Sequence, residues 1–115
     1  ACRPRSGQGG AELRRASKVD RNQPEIVHAL RAAGATVQPL HTVGDGCPDL
    51  LVGYRGMNYV IEVKDWQAAP SARKLNPAQK VWHDGWKGSV AKVETAEAAL
   101  AVIGARGMHL AGQIT

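Results

Sequence analysis

Asp49 and the run Glu62-Val63-Lys64 place two acids and an amine at a spacing that could serve chemistry on a phosphoryl group. Side chains two apart on a strand share a face, so Glu62 and Lys64 point one way while Ile61 and Val63 point the other. Residues 50–53 read as a short apolar strand, 54–57 as a tight connection and 58–64 as a second strand, which together make a hairpin. Folding back brings Asp49 toward Glu62. Two carboxylates held together repel and raise one pKa unless a cation lies between them, and a hard divalent ion with oxygen ligands is the usual partner. Such an ion polarises a phosphoryl oxygen and acidifies a water. Lys64 could then orient that nucleophile or neutralise charge developing on the phosphate. The same residues also suit a plainer role, in which an Asp opens a strand and a Glu and a Lys decorate its solvent face.

Two helices must position such a group. Pro24 is well placed near the start of the first, where Ile26, Val27, Leu30 and Ala33 recur at core-facing spacing before Gly34 stops it. Glu25 lies beside that stripe, and a first-turn acid favoured by the helix dipole is its ordinary use. In the second helix Asn76 can cap and Pro77 can begin. There Ala78, Val81, Trp82, Gly85 and Trp86 form one face, expected in the core because a chain without Phe needs the bulk of its indoles, with a platform of Trp82 and Trp86 for stacking bases as the alternative. Gln79 falls at the edge of that face, from which it could reach the metal site or remain an ordinary surface residue. His83, one turn on, could approach a scissile phosphate, whereas most histidines at such positions are plain surface or half-buried groups. His41 ends an expected strand, and Gly44-Asp45-Gly46 reads as a turn. After Gly88, residues 89–93 form a further strand, and Thr95 can cap a last helix through 105, which supplies the opposite layer. Residues 108–114 could add an edge strand. The order helix, strand, strand, strand, helix, strand, helix implies an α/β fold with a mixed sheet flanked by helices.

Four features stand in a telling order: Glu25 early in a helix, Gly46-Cys47-Pro48-Asp49 before a strand, Glu62-Val63-Lys64 closing the next, and Leu75-Asn76-Pro77-Ala78-Gln79 opening a second helix. With them, residues 22–93 resemble the PD-(D/E)XK nuclease superfamily, and within it the VRR-NUC branch of virus-type replication and repair nucleases. The resemblance implies a restriction-endonuclease-like core. It also implies that Asp49 and Glu62 bind Mg²⁺ or Mn²⁺ with the backbone carbonyl of Val63, that Lys64 is catalytic, and that Glu25 and Gln79 complete the site. All five side chains are present. Small stand-alone members of the branch imply a metal-dependent DNA endonuclease acting on branched DNA such as a Holliday junction, as a homodimer. Two other readings stay open, a nucleic-acid-binding module that retains the fold without turnover and a sequence-specific restriction-type nuclease. The second is short of material for reading bases in a groove.

With 115 residues the chain has room for one modest core. It contains no run of eighteen apolar residues and no charged leader before an apolar stretch, so an intracellular, cytoplasmic protein without a membrane span is expected. Cys2 and Cys47 make neither a zinc pattern nor a disulfide framework and are read as reduced, with Cys47 a small residue filling the turn before Asp49 rather than a nucleophile. The first 23 residues hold six of the basic residues against Glu12 and Asp20, which is +4 of the formal charge of +5. Residues 1–21 therefore read as a flexible basic arm, with a short helix over 12–19 when something orders it, and 22–115 as one domain. Lys18 and Arg21 from the arm, with Arg73, Lys74, Lys80 and Lys87 around the second helix, are the candidate contacts to a nucleic-acid backbone. A solubilising tail is the plainer alternative. Residues 65–75 lack an apolar period and are expected to lie as a mobile loop over the site, where Trp66 is a candidate for stacking on a base.

Overall fold

A computed structural model describes residues 19–105. Lys18, the expected helix over 12–19, Cys2, His109 and the expected edge strand over 108–114 lie outside the described residues. The elements follow the order read from the sequence: α1 (Gln23–Ala32), β1 (Thr36–Pro39), β2 (Leu50–Tyr54), β3 (Met57–Val63), a 3₁₀ turn (Pro70–Arg73), α2 (Pro77–Gly85), β4 (Val90–Val93) and α3 (Ala96–Val102).

The four strands form one sheet in the order β1-β2-β3-β4, antiparallel except for the parallel pairing of β3 with β4. Arg55 and Gly56, both with positive φ (52° and 81°), make the two-residue turn between β2 and β3. That turn is of the kind whose twist matches an antiparallel ribbon. It pairs Tyr54 with Met57 and Leu50 with Ile61, so the next step of the ladder sets Asp49 against Glu62. β1 ends at Pro39, which removes a donor and is tolerated on an edge strand. His41 accordingly lies in the turn beyond the strand instead of closing it.

Leu50 and Val52 of β2, Ile61 and Val63 of β3 and Val93 of β4 supply one face of the sheet to the core, where Ile26 and Leu30 of α1 and Leu100 of α3 cover them. Both helices stop in the same way. Gly34 (φ 101°) and Gly104 (φ 78°) take left-handed conformations just past the helix ends. Ala35 and Ala105 then donate back to the carbonyls of Leu30 and Leu100 at 3.1 and 2.8 Å. This is a Schellman closure, and the alanine and leucine of each are buried together. α3 therefore shares the face of α1 and does not form the opposite layer, and it stops at Val102 because Gly104 turns the chain.

α2 departs furthest from expectation. None of its residues is buried, Val81 is 73% exposed, and Trp82 and Trp86 stack on each other with centroids 4.5 Å apart rather than entering the core. The reason lies in what holds the helix. Its first turn leans on the loop before β2, where Gly46 (φ 82°) passes so close to the Ala78 carbonyl that no Cβ would fit. Its polar edge reaches the sheet through Gln79. Aliphatic residues with Tyr54 fill the main core, so the indoles are not needed there.

Candidate active site

Glu62 and Lys64 stand on the sheet face opposite the α1–α3 core, as strand alternation requires. Both are buried, Glu62 at 3% exposure. Asp49 joins them from the start of β2, and its Oδ2 accepts the Val63 N–H at 2.8 Å. The three line one cavity of about 600 Å³ together with Val63, Asn76 and Gln79.

The N-terminus of α2 sets the second half of the geometry. Asn76 Oδ1 accepts the Gln79 N–H at 2.8 Å, and Gln79 Oε1 accepts the Asn76 N–H at 2.9 Å, a reciprocal capping box. The same Gln79 oxygen accepts from Lys64 Nζ at 2.8 Å, while Gln79 Nε2 donates to Glu62 Oε2 at 3.0 Å. The side chain that caps the helix thus also spaces the amine from the carboxylate, leaving Lys64 Nζ 3.8 Å from Glu62 Oε2. Asn22, at the start of α1, donates to the Lys64 carbonyl at 3.0 Å and the Glu94 carbonyl at 2.9 Å, which ties the ends of β3 and β4 together beneath the site.

Burial, and then the neighbouring charge of Asp49, push the Glu62 carboxyl up to about 8. Burial raises Asp49 as well, against the Val63 N–H bond, which favours its charged form. Glu62 Oε1 is buried with no N–H donor to it, and the Glu62 and Asp49 carboxyls lie close enough to share a proton. Two carboxyls that are costly to ionise, one with an oxygen that no N–H reaches, suit a divalent cation. Among the described residues no group of three or more His, Cys, Asp or Glu side chains is gathered to hold a metal. The fit is therefore to an ion that keeps waters and takes one or two protein carboxylates, as Mg²⁺ does.

The residues expected at the site are not all there. Glu25 is exposed and lies in a separate cleft with Trp66, Glu94 and Glu97. The buried stripe of α1 is Gln23, Ile26 and Leu30, which leaves Glu25 on the exposed side of the helix. The further acids on the cavity wall are Asp65 and Asp20, and the charge of Asp20 also raises Glu62. Asp20, Asn22 and Asn76 were missed as site residues. Asp20 counted only toward the charge of a basic segment, and Asn76 only as a cap. His83 does not line the cavity, and burial lowers its pKa. Burial raises the Cys47 thiol, with Glu62 and Asp49 adding to the shift, so it is held protonated beside the site.

Of the basic residues, Arg21 lines the cavity and is bound across its mouth to Asp65 Oδ2 and Gln67 Oε1, both at 2.7 Å. The Gln67 N–H, followed by Arg21, holds the Asp65 carboxyl below its usual range. Arg73 donates to the Trp66 carbonyl at 3.1 Å and lies 3.5 Å from Glu94, and Lys80 lies 3.4 Å from Asp84. Lys74 and Lys87 are exposed. The segment after β3 does pass over the site, since Ala68 and Ala72 line the cavity. No described helix is long and apolar enough to cross a membrane.

No family model and no curated protein matches the sequence. Among solved structures, one titled "VRR_NUC domain" is similar at 29% identity with a TM-score of 0.55, over 72% of this chain and 90% of that one.

Proposed function

The chain carries a VRR-NUC domain of the PD-(D/E)XK nuclease fold, and from that premise we propose that it is a Mg²⁺- or Mn²⁺-dependent endonuclease that hydrolyses DNA phosphodiester bonds. The observation that carries the proposal is the pair of buried carboxyls of Asp49 and Glu62, close enough to share a proton, with no N–H donor on Glu62 Oε1 and an ammonium group locked alongside. Asp49, Glu62 and the Val63 carbonyl would hold the ion. When bound, it supplies a Lewis acid for the phosphoryl oxygen and a water of lowered pKa. Lys64, held by Gln79, orients the attacking water or offsets charge gathering on the phosphate, and it needs no reorganisation to do so. Lys74 and Lys87, with Lys18, are the backbone contacts, joined by Arg21, Arg73 and Lys80 when a phosphate displaces their present partners.

The proposed substrate is branched DNA such as a Holliday junction, cut in the cytoplasm by two copies of the chain so that two symmetric strands meet two sites. Labelled junction, flap and duplex DNA incubated with Mg²⁺, Mn²⁺ or EDTA test this together. Cleavage should require the metal and favour the junction. Asp49→Ala or Glu62→Ala should abolish cutting and leave DNA binding largely intact. A mass of one 12.2 kDa chain in solution, free and on DNA, would rule out the dimer.

A further inference from the structure

We infer that the groove between α1 and the end of β1 receives an unpaired nucleobase of the strand being cut, beside the carboxylate site. The inference rests on the nuclease reading and adds a substrate feature to it. The groove is a cavity of about 430 Å³, within the range of about 300–1,000 Å³ in which proteins hold small ligands. Val19, Pro24, Val27 and Pro39 form apolar walls suited to the faces of a base. Gln23, His28, Arg31 and His41 break those walls, and two of them hold unsatisfied atoms. Gln23 is 5% exposed, yet its Oε1 has no hydrogen-bond partner, and neither has Nδ1 of His41. Buried polar atoms are rarely left so, and although both atoms are closed to solvent, a rotation of each side chain would turn them to a ligand edge carrying an N–H and a second polar atom. Extruded bases are held in this manner, stacked between apolar side chains and bonded along the pairing edge.

Location decides in favour of a base over an unrelated small ligand. Val19 lines both this groove and the carboxylate cavity, so the two adjoin. The Leu40 N–H donates to the Asp49 carbonyl at 2.7 Å, which places His41 one residue from a direct backbone link to the proposed metal ligand. Arg31 gives the groove a positive charge suited to a nucleotide. A strand whose phosphate lay at Asp49 and Glu62 could set a neighbouring base into the groove only if that base were unpaired, as at a branch point.

The test is an abasic scan. Each nucleotide within three of the branch point of a junction is replaced in turn by an abasic analogue, and affinity for the full-length protein is read by fluorescence anisotropy, with Ca²⁺ in place of Mg²⁺ to prevent turnover. One position should weaken binding by about tenfold, in keeping with the loss of one stacked base, and the others by less than about twofold. In Val27→Trp, whose indole fills the groove, the intact junction should bind about tenfold more weakly and the abasic change should add nothing. Small, equal losses at every position of the scan with unaltered protein would overturn the inference without recourse to the variant, as would a penalty undiminished in Val27→Trp. A single-position penalty without cleavage in Mg²⁺ would keep the groove and remove the chemistry, whereas cleavage without such a penalty would do the reverse.

Discussion

Glu62 carries its burial and the Asp49 charge as a proton held up to about pH 8, against an ordinary value of 4.5. Between those values the folded, metal-free protein binds a proton that the unfolded chain has released, so stability must fall as pH rises through that window. Asp49, also raised, acts in the same direction. Thermal unfolding in EDTA should therefore show a midpoint that drops from pH 5 to pH 8, and Glu62→Gln should flatten the drop. A divalent ion holds the ionised form, so the stabilisation by Mg²⁺ should be larger at pH 8 than at pH 5. A midpoint independent of pH in EDTA would mean that the two carboxyls are not strained as described. Gln79 makes three separate hydrogen bonds with its amide, and Asn76→Ala tests it without altering it. Loss of that cap should cost about 1 kcal/mol in urea unfolding. Ala keeps the backbone N–H that bonds Gln79 Oε1, and Lys64 and Glu62 still hold the amide, so kcat should fall by less than about threefold with KM little changed, and a larger loss would show that the cap itself fixes Gln79 between them.

At the scale of elements, the close pass of Gly46 over Ala78 joins the metal-ligand loop to the helix that supplies Gln79. Gly46→Ala adds a Cβ against a carbonyl and forces an L-residue to φ 82°, a strain of about 1–3 kcal/mol before any displacement of α2. We expect a comparable loss of stability by chemical denaturation and a loss of cleavage out of proportion to it, whereas Gly56→Ala, with nothing near its Cβ, should cost stability alone. The hairpin was legible in the sequence because two apolar β-runs flanked a short glycine-containing turn, and the register that sets Asp49 against Glu62 followed from it. Asn76-Pro77 likewise marked the start of α2. Helical period identifies which residues of α2 share a face, but it cannot say whether another element covers that face, and so the core expected to take Trp82 and Trp86 does not receive them. Asp20 was not legible as a site residue because it precedes any periodic segment. The same limit misled Glu25, whose position in a first turn does not reveal which side of the helix meets the sheet.

Over the whole molecule, charge is separated from chemistry. The carboxylates, Lys64 and Gln79 lie between positions 49 and 79, while the excess of basic residues gathers in the first 23 positions. Affinity for DNA should fall steeply with salt, and replacing Arg3, Arg5, Arg14, Arg15 and Lys18 by Gln should flatten the slope of log K against log salt by about 2–4 units while leaving kcat unchanged. An unaltered slope would make that segment a solubilising tail. Whatever the substrate, the chemistry proposed here requires a cation between the two acids. Anomalous diffraction from crystals soaked in Mn²⁺ would locate it: a peak within bonding distance of Glu62 Oε1 and the Asp49 carboxylate is expected, lost in Glu62→Gln, and saturating Mn²⁺ that leaves this position empty would contradict the assignment.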